Sequence, residues 1–290
     1  MKYSINKSIG VILVIVCPIL FLCATTLKGQ SESRDPEVYN TRGLDYLRQD
    51  HYDRAISEFT KALEINTRYA EACYNRATAY SRTGQYNQAI SDLNKVLEIN
   101  PRDAEAYYNR GIAYYEKGLF IDAIHDFSEV LEINPRDAEA FRNRGTAYQR
   151  KEQSDLAMSD FNKALDIDPG DSEAYVGRGL VYAGKGHNDQ AFSDFSKALE
   201  INPKYTLAYY NRGVVYEGEG QYDLAISDFS KALEIGPKLA EAYYNRAIAH
   251  FFKEEYDESW VDVIEAQKLG YQIPYGFLDD LRKASGSKQL

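Results

Sequence analysis

AEAYYNRGIAYYEKGLFIDAIHDFSEVLEINPRD, residues Ala104 to Asp137, is one copy of a 34-residue unit written seven times in succession. With Pro36, Ala70, Ala104, Ala138, Ser172, Thr206 and Ala240 as position 1, the copies cover residues 36–273 of the 290 without an insertion. A fixed period of this length specifies an array of like supersecondary units. Within the unit, helical spacing occurs twice: Tyr107, Gly111 and Tyr114, then Phe120, Ala123, Ile124, Phe127, Val130 and Leu131. Gly118 separates the two runs, and Asn134-Pro135 ends the second, because proline cannot continue a helix and restrains the residue before it. Each copy is therefore expected to be two short antiparallel helices, A then B. A lone hairpin cannot bury its apolar stripe, so neighbours must stack and share a core.

The columns of the repeat are sharply defined. Position 8 reads Gly43, Ala77, Gly111, Gly145, Gly179, Gly213, Ala247; position 11 reads Tyr46, Tyr80, Tyr114, Tyr148, Tyr182, Tyr216, His250. Position 20 reads Ala55, Ala89, Ala123, Ala157, Ala191, Ala225, Ser259; position 24 reads Phe59, Leu93, Phe127, Phe161, Phe195, Phe229, Val263. Small residues let two helices cross closely and the large ones fill the wedge beside them. In these columns the chain resembles the tetratricopeptide repeat family. The resemblance implies an all-α, right-handed superhelical solenoid of seven antiparallel helix pairs plus a C-terminal capping helix. Its repeats would be 36–69, 70–103, 104–137, 138–171, 172–205, 206–239 and 240–273, with the cap and tail in 274–290.

Position 7, usually leucine in that family, is arginine in every copy, and position 23 is acidic in every copy. An antiparallel hairpin brings these positions level. The reading predicts structural ion pairs Arg76–Asp92, Arg110–Asp126, Arg144–Asp160, Arg178–Asp194 and Arg212–Asp228, with Arg42–Glu58 and Arg246–Asp262 at the ends. They should be partly buried and bidentate, since guanidinium and carboxylate match as two parallel hydrogen bonds. A carboxylate beside each arginine also argues against a basic nucleic-acid surface. So does the net charge of −10, because nucleic-acid affinity comes from phosphate neutralisation.

Residues 1–29 are a separate object. Lys2 and Lys7 precede an apolar run from Ile9 to Ala24, the pattern of a secretory signal peptide or, if it is retained, an N-terminal membrane anchor in contact with lipid through residues 9–27. Cleavage would fall after Ala24 or Gly29; the lipoprotein reading is weak because Leu22 precedes Cys23. The array is thus expected to be extracytoplasmic, secreted or periplasmic, or tethered to the membrane. Residues 30–35 form a polar linker, and Asp35-Pro36-Glu37 supplies an N-cap, a proline at N1 and an acidic first turn. Asp45, where later repeats carry Ala or Val at position 10, suits an end with no preceding neighbour. The C-terminal helix is expected over Pro274 to Lys283, with Phe277, Leu278 and Leu281 covering the last face. Cys73 reads as a buried thiol.

Catalysis has little to stand on here. The histidines, His51, His125, His187 and His250, show no metal-ligand spacing, and there is no Cys-x-x-Cys pair, phosphate loop or nucleophile elbow. No cofactor or metal is expected, and the chain reads as a non-enzyme.

The resemblance implies that A helices line a concave groove, with positions 2, 5, 6, 9, 12 and 13 facing into it. Position 6 carries Asn75, Asn109, Asn143, Asn211 and Asn245, interrupted by Thr41 and Gly177. Amides both donate and accept, so a ladder of them suits the backbone of an extended peptide. Position 5 adds Tyr74, Tyr108, Tyr210 and Tyr244, side chains suited to interfaces. Arg48, Arg82, Arg142 and Arg150 fall in the N-terminal half of the groove, and Val214, Ile248, Phe251 and Phe252 in the C-terminal half. The chaperone-carboxylate clamp of some family members is absent, since no copy has Lys at position 5. The expected function is a protein–protein interaction scaffold binding peptide or protein segments in the groove. The alternative is a structural or assembly subunit of an envelope or export complex, binding through its convex or end faces.

Overall fold

The structure, a computed structural model, describes residues 33–286. Residues 1–29, read as a signal or anchor, lie outside the described residues; among the described residues no helix is long and apolar enough to cross a membrane.

The A helices are α1 (Pro36–Arg48), α3 (Ala70–Arg82), α5 (Ala104–Glu116), α7 (Ala138–Arg150), α9 (Ser172–Gly184), α11 (Thr206–Gly218) and α13 (Ala240–Phe252). The B helices are α2 (Tyr52–Ile65), α4 (Tyr86–Ile99), α6 (Phe120–Ile133), α8 (Ser154–Ile167), α10 (Asn188–Ile201), α12 (Tyr222–Ile235) and α14 (Tyr256–Lys268). A last helix, α15 (Tyr275–Ser285), follows them. Each A helix packs on its own B helix, and each B helix packs on the next A helix. The result is an all-α repeat solenoid.

Local chemistry sets the helix ends. Asp35, Asp103, Asp137 and Asp171 cap helices by accepting backbone N–H bonds from the first turn. Between A and B the chain reverses through a left-handed residue at position 15. Glycine fills it in four copies, Gly84, Gly118, Gly186 and Gly220; Asp50, Glu152 and Glu254 adopt φ of 57°, 59° and 62° in the others.

The core is a column of rings. Phe59, Phe127, Phe161, Phe195 and Phe229 are all 0% exposed, each against the glycine at position 8 of its own A helix. Where position 8 is Ala77 or Ala247, the opposing residue shrinks to Leu93 or Val263.

The arginines of position 7 occupy the seam. Arg110 Nε and Nη2 donate to Asp126 at 2.7 and 2.8 Å, and the same fork joins Arg76 to Asp92, Arg144 to Asp160, Arg178 to Asp194, Arg212 to Asp228 and Arg246 to Asp262. Each third donor, Nη1, crosses to the preceding repeat: Arg76 to Thr60, Arg110 to Asn94, Arg144 to Ser128, Arg178 to Asn162, Arg212 to Ser196, Arg246 to Ser230. One guanidinium thus ties two helices of its own repeat and a third of its neighbour. Repeat 1 departs from this. Arg42 is half exposed, lies 4.0 Å from Glu58 and has no preceding repeat to bond; Glu58 instead accepts from Lys61 at 2.5 Å. Glutamate is one methylene longer than aspartate, so its carboxylate does not meet the fork in the same register.

The C-terminal end is closed by α15, which begins and ends slightly later than the sequence suggests. Leu281 is fully buried against α14, and Trp260 Nε1 donates to Ser285 Oγ at 3.1 Å. Phe277 packs edge-on to Phe251, whereas Phe252 stays exposed and stacks on Tyr222.

Candidate functional site

Successive A helices approach one another along the stack, whereas successive B helices do not. The A side is therefore the inner, concave side, and positions 2, 5 and 6 project from it. They form a hydrogen-bonded ladder that runs between repeats. Asn109 Nδ2 donates to Tyr74 Oη of the preceding repeat at 2.8 Å, and Tyr74 Oη donates to Glu105 Oε1 at 2.7 Å. One repeat later, Asn143 Nδ2 donates to Tyr108 Oη at 2.8 Å, and Tyr108 donates to Glu139 at 3.2 Å. Asn245 likewise donates to Tyr210 at 3.2 Å.

These bonds change what the amides offer. Asn109 also donates to the Glu105 carbonyl, so both of its amide hydrogens are used. Among the described residues the amide oxygens of Asn109 and Asn143 receive no hydrogen bond, which leaves them as oriented acceptors. Asn75 differs: it is buried and donates to Asn40 Oδ1 at 3.0 Å, so it belongs to the packing between the first two repeats. The ladder breaks at repeats 5 and 6. A Cβ on Gly177 would lie 2.5 Å from the Phe161 ring, which leaves no room for an asparagine there. Val176 has no hydroxyl, so Asn211 turns to the Leu207 carbonyl of its own helix.

Tyr74, Tyr108, Asn109, Glu105, Glu139 and Asp137 line an open hollow of about 420 Å³ on the concave side of repeats 2 to 4. Burial, with Glu105 beside it, holds the Tyr74 phenol well above the usual range. Burial and Glu139 push that of Tyr108 up to about 12. Both phenols are therefore neutral donors. Of the four arginines expected in this half, Arg142 is tied to Asp171 at 2.8 Å and Glu173 at 3.3 Å. Arg150 sits over the Phe120 ring, Arg48 pairs with Asp45, and Arg82 is exposed.

The C-terminal half is aromatic. Tyr244 stacks on Tyr271 with ring centres 5.0 Å apart and meets the edge of Phe277, so the chain's own C-terminal segment fixes this candidate contact residue in place. On α11, Glu217 interacts electrostatically with both Tyr210 and Tyr244. Among the described residues its side chain makes no hydrogen bond or ion pair, and burial pushes its carboxyl up to about 7.

Two features escaped the sequence reading. The position-25 partner of each arginine had a signal: Thr60, Asn94, Ser128, Asn162, Ser196 and Ser230 carry an acceptor wherever a repeat follows, and Ile264 does not where none follows. Glu217 had only the weak signal of an acid among apolar groove positions.

Sequence models described as tetratricopeptide repeat match residues 36–69 and 172–205, 104–137 and 206–239, 58–91, and 138–171; one described as TPR repeat matches 79–118. Among solved structures, a tetratricopeptide repeat protein from Parabacteroides merdae ATCC 43184 is 20% identical, with a TM-score of 0.70 over 88% of this chain and 100% of that one. YrrB, described as a TPR protein with an unusual peptide-binding site, is 30% identical, with a TM-score of 0.50 over 63% of this chain and 95% of its own. A MamA protein is 29% identical, with a TM-score of 0.51 over 59% of this chain and 94% of that one. No curated protein sequence matches significantly. Residue columns, stacked hairpins and matched repeats agree: the chain belongs to the tetratricopeptide repeat family.

Proposed function

We propose that this protein is a non-catalytic scaffold that binds extended protein segments along the concave face of its A helices. The observation that carries the reading is the hollow of repeats 2 to 4, lined by Tyr74, Tyr108 and Asn109, whose two phenols hold the amides of Asn109 and of the neighbouring Asn143 with their oxygens open. Oriented acceptors on two successive repeats, Asn109 and Asn143, suit the N–H groups of an extended backbone, and neutral tyrosines add contact area at low entropy cost. The peptide-binding site described for YrrB supports the same kind of partner. A photo-crosslinking residue at Ile112, on the concave side, should capture partner chains in the native cell, and one at the exposed Ile121 of α6 should not. Capture from Ile121 alone would favour assembly through the convex face.

The reading also places the array outside the cytoplasm, supported by the lysines and apolar run of residues 1–29. Cell fractionation with N-terminal sequencing tests this; a cytoplasmic chain beginning at Met1 would reject it.

A further inference from the structure

We propose that the C-terminal part of the groove is a subsite for a lysine or arginine side chain of the bound segment, received by the Glu217 carboxylate beside the rings of Tyr210 and Tyr244. The inference rests on the concave face being the binding face, and it names the chemistry of the partner.

Glu217 stands apart from the other acids. The aspartates of the seam each face an arginine, Glu105 and Glu139 accept from tyrosines, and Glu255 pairs with Lys253 and His250. Glu217 is half-buried on the groove side of α11 with none of these. Withdrawing a carboxylate from water without a partner is costly, and a cation supplied by a ligand would offset that cost.

The surroundings fit the side chain of a basic residue along its length. Val214, one turn before Glu217 on the same helix, is 38% exposed and offers apolar surface for a methylene stem. Tyr210 and Tyr244, each in electrostatic interaction with Glu217, place aromatic rings near its carboxyl, where a cationic head would be received. Tyr244 is fixed by Tyr271 and Phe277, so its ordering cost is met before any ligand arrives.

Charge along the groove points the same way. Glu37, Glu71, Glu105, Glu139, Glu173 and Glu241, all at position 2, are exposed, and the whole chain carries −10. Of the groove arginines, Arg142 is neutralised by Asp171 and Glu173, and Arg48 by Asp45. An acidic partner segment would meet repulsion over most of this surface. A basic one would be steered to it.

The test uses the full chain and three fluorescein-labelled pools of end-blocked degenerate dodecapeptides. The pools differ only in whether a fixed set of positions carries Lys and Arg, Gln, or Glu. Anisotropy should show the basic pool binding about tenfold more tightly than the Gln pool. Glu217→Gln should abolish that preference, and Glu37→Gln, at the far end, should leave most of it. A preference that survives Glu217→Gln overturns the subsite and leaves the groove reading intact. Equal binding of all three pools, lost on joint Tyr108→Ala and Asn143→Ala substitution, also overturns the subsite alone. Absence of binding by any pool, or binding indifferent to that double substitution, overturns the groove reading and the subsite with it.

Discussion

Gly111 lies against the edge of Phe127 so closely that a Cβ on Gly111 would sit 2.8 Å from Phe127 Cε1. The repeats encode this contact as a pair, glycine with phenylalanine and alanine with leucine or valine. Gly111→Ala should therefore destabilise the protein despite alanine's better helix propensity. Overpacking costs about 1–3 kcal/mol and the propensity gain offsets roughly 0.5–1 kcal/mol. Adding Phe127→Leu, which recreates the Ala77–Leu93 pair, should cost less than the two single changes summed. A urea-denaturation double-mutant cycle reads the coupling; strict additivity would show that the ring does not press on the glycine.

Arg144 holds Asp160 in a place nearly closed to water. Arg144→Met strands that carboxylate and should cost about 3–5 kcal/mol, whereas Arg144→Met with Asp160→Leu should recover most of the loss. Arg42→Met in repeat 1 should cost less than about 1 kcal/mol, because its pair is loose and half exposed. Equal losses from Arg42→Met and Arg144→Met would contradict the burial argument.

Glu152 occupies the left-handed turn position with φ of 59°. A side chain there costs about 1–2 kcal/mol relative to glycine's freedom, partly offset by glycine's larger unfolded-state entropy. Glu152→Gly should raise the melting temperature, by roughly 0.5–1 kcal/mol of stability. Gly118→Glu, at the same position with φ of 75°, should lower it. The two shifts are expected to have opposite signs in one melting experiment.

Glu217 makes stability depend on pH in an unusual direction. Burial raises its carboxyl from 4.5 to about 7, so between those values the native state holds a proton that the unfolded chain has released. Stability from this group is full below the lower value and is lost as pH rises through the window. Glu217→Gln should therefore stabilise the protein above about pH 7 and have little effect below pH 4.5. Allowing for solvent screening, the gain is about 1–2 kcal/mol. Chemical denaturation across that range checks it, and a pH-independent effect would count against a desolvated carboxyl.

The helices themselves were plain in the sequence. Seven copies in register averaged out local ambiguity, and the glycine and proline punctuation fell where helices end. The Arg110–Asp126 partnership was legible because both residues belong to one hairpin, whose geometry the period fixes. Contacts between hairpins were not. Whether Arg110 Nη1 reaches Asn94, or Tyr74 takes an amide hydrogen of Asn109, depends on the rotation from one repeat to the next. A period measured along the chain carries no record of that rotation. The ladder expected to be open on both sides is accordingly half closed. Tyr244, expected as a peptide contact, also packs on Tyr271 at the end of the last repeat and on Phe277 beyond it, contacts that no column of the repeat records.

The side chain at Ile264 takes the place where every earlier hairpin offers an oxygen or amide to the next arginine. An inserted duplicate of residues 104–137 would find a matching socket behind it and supply one ahead, so the rod could lengthen in its middle without a mismatch. A duplicate joined after residue 273 would bring an arginine donor to a methyl group and evict α15 from its seat. The last hairpin thus has a surface shaped to take the lid of α15 and without the socket that a further rung would need.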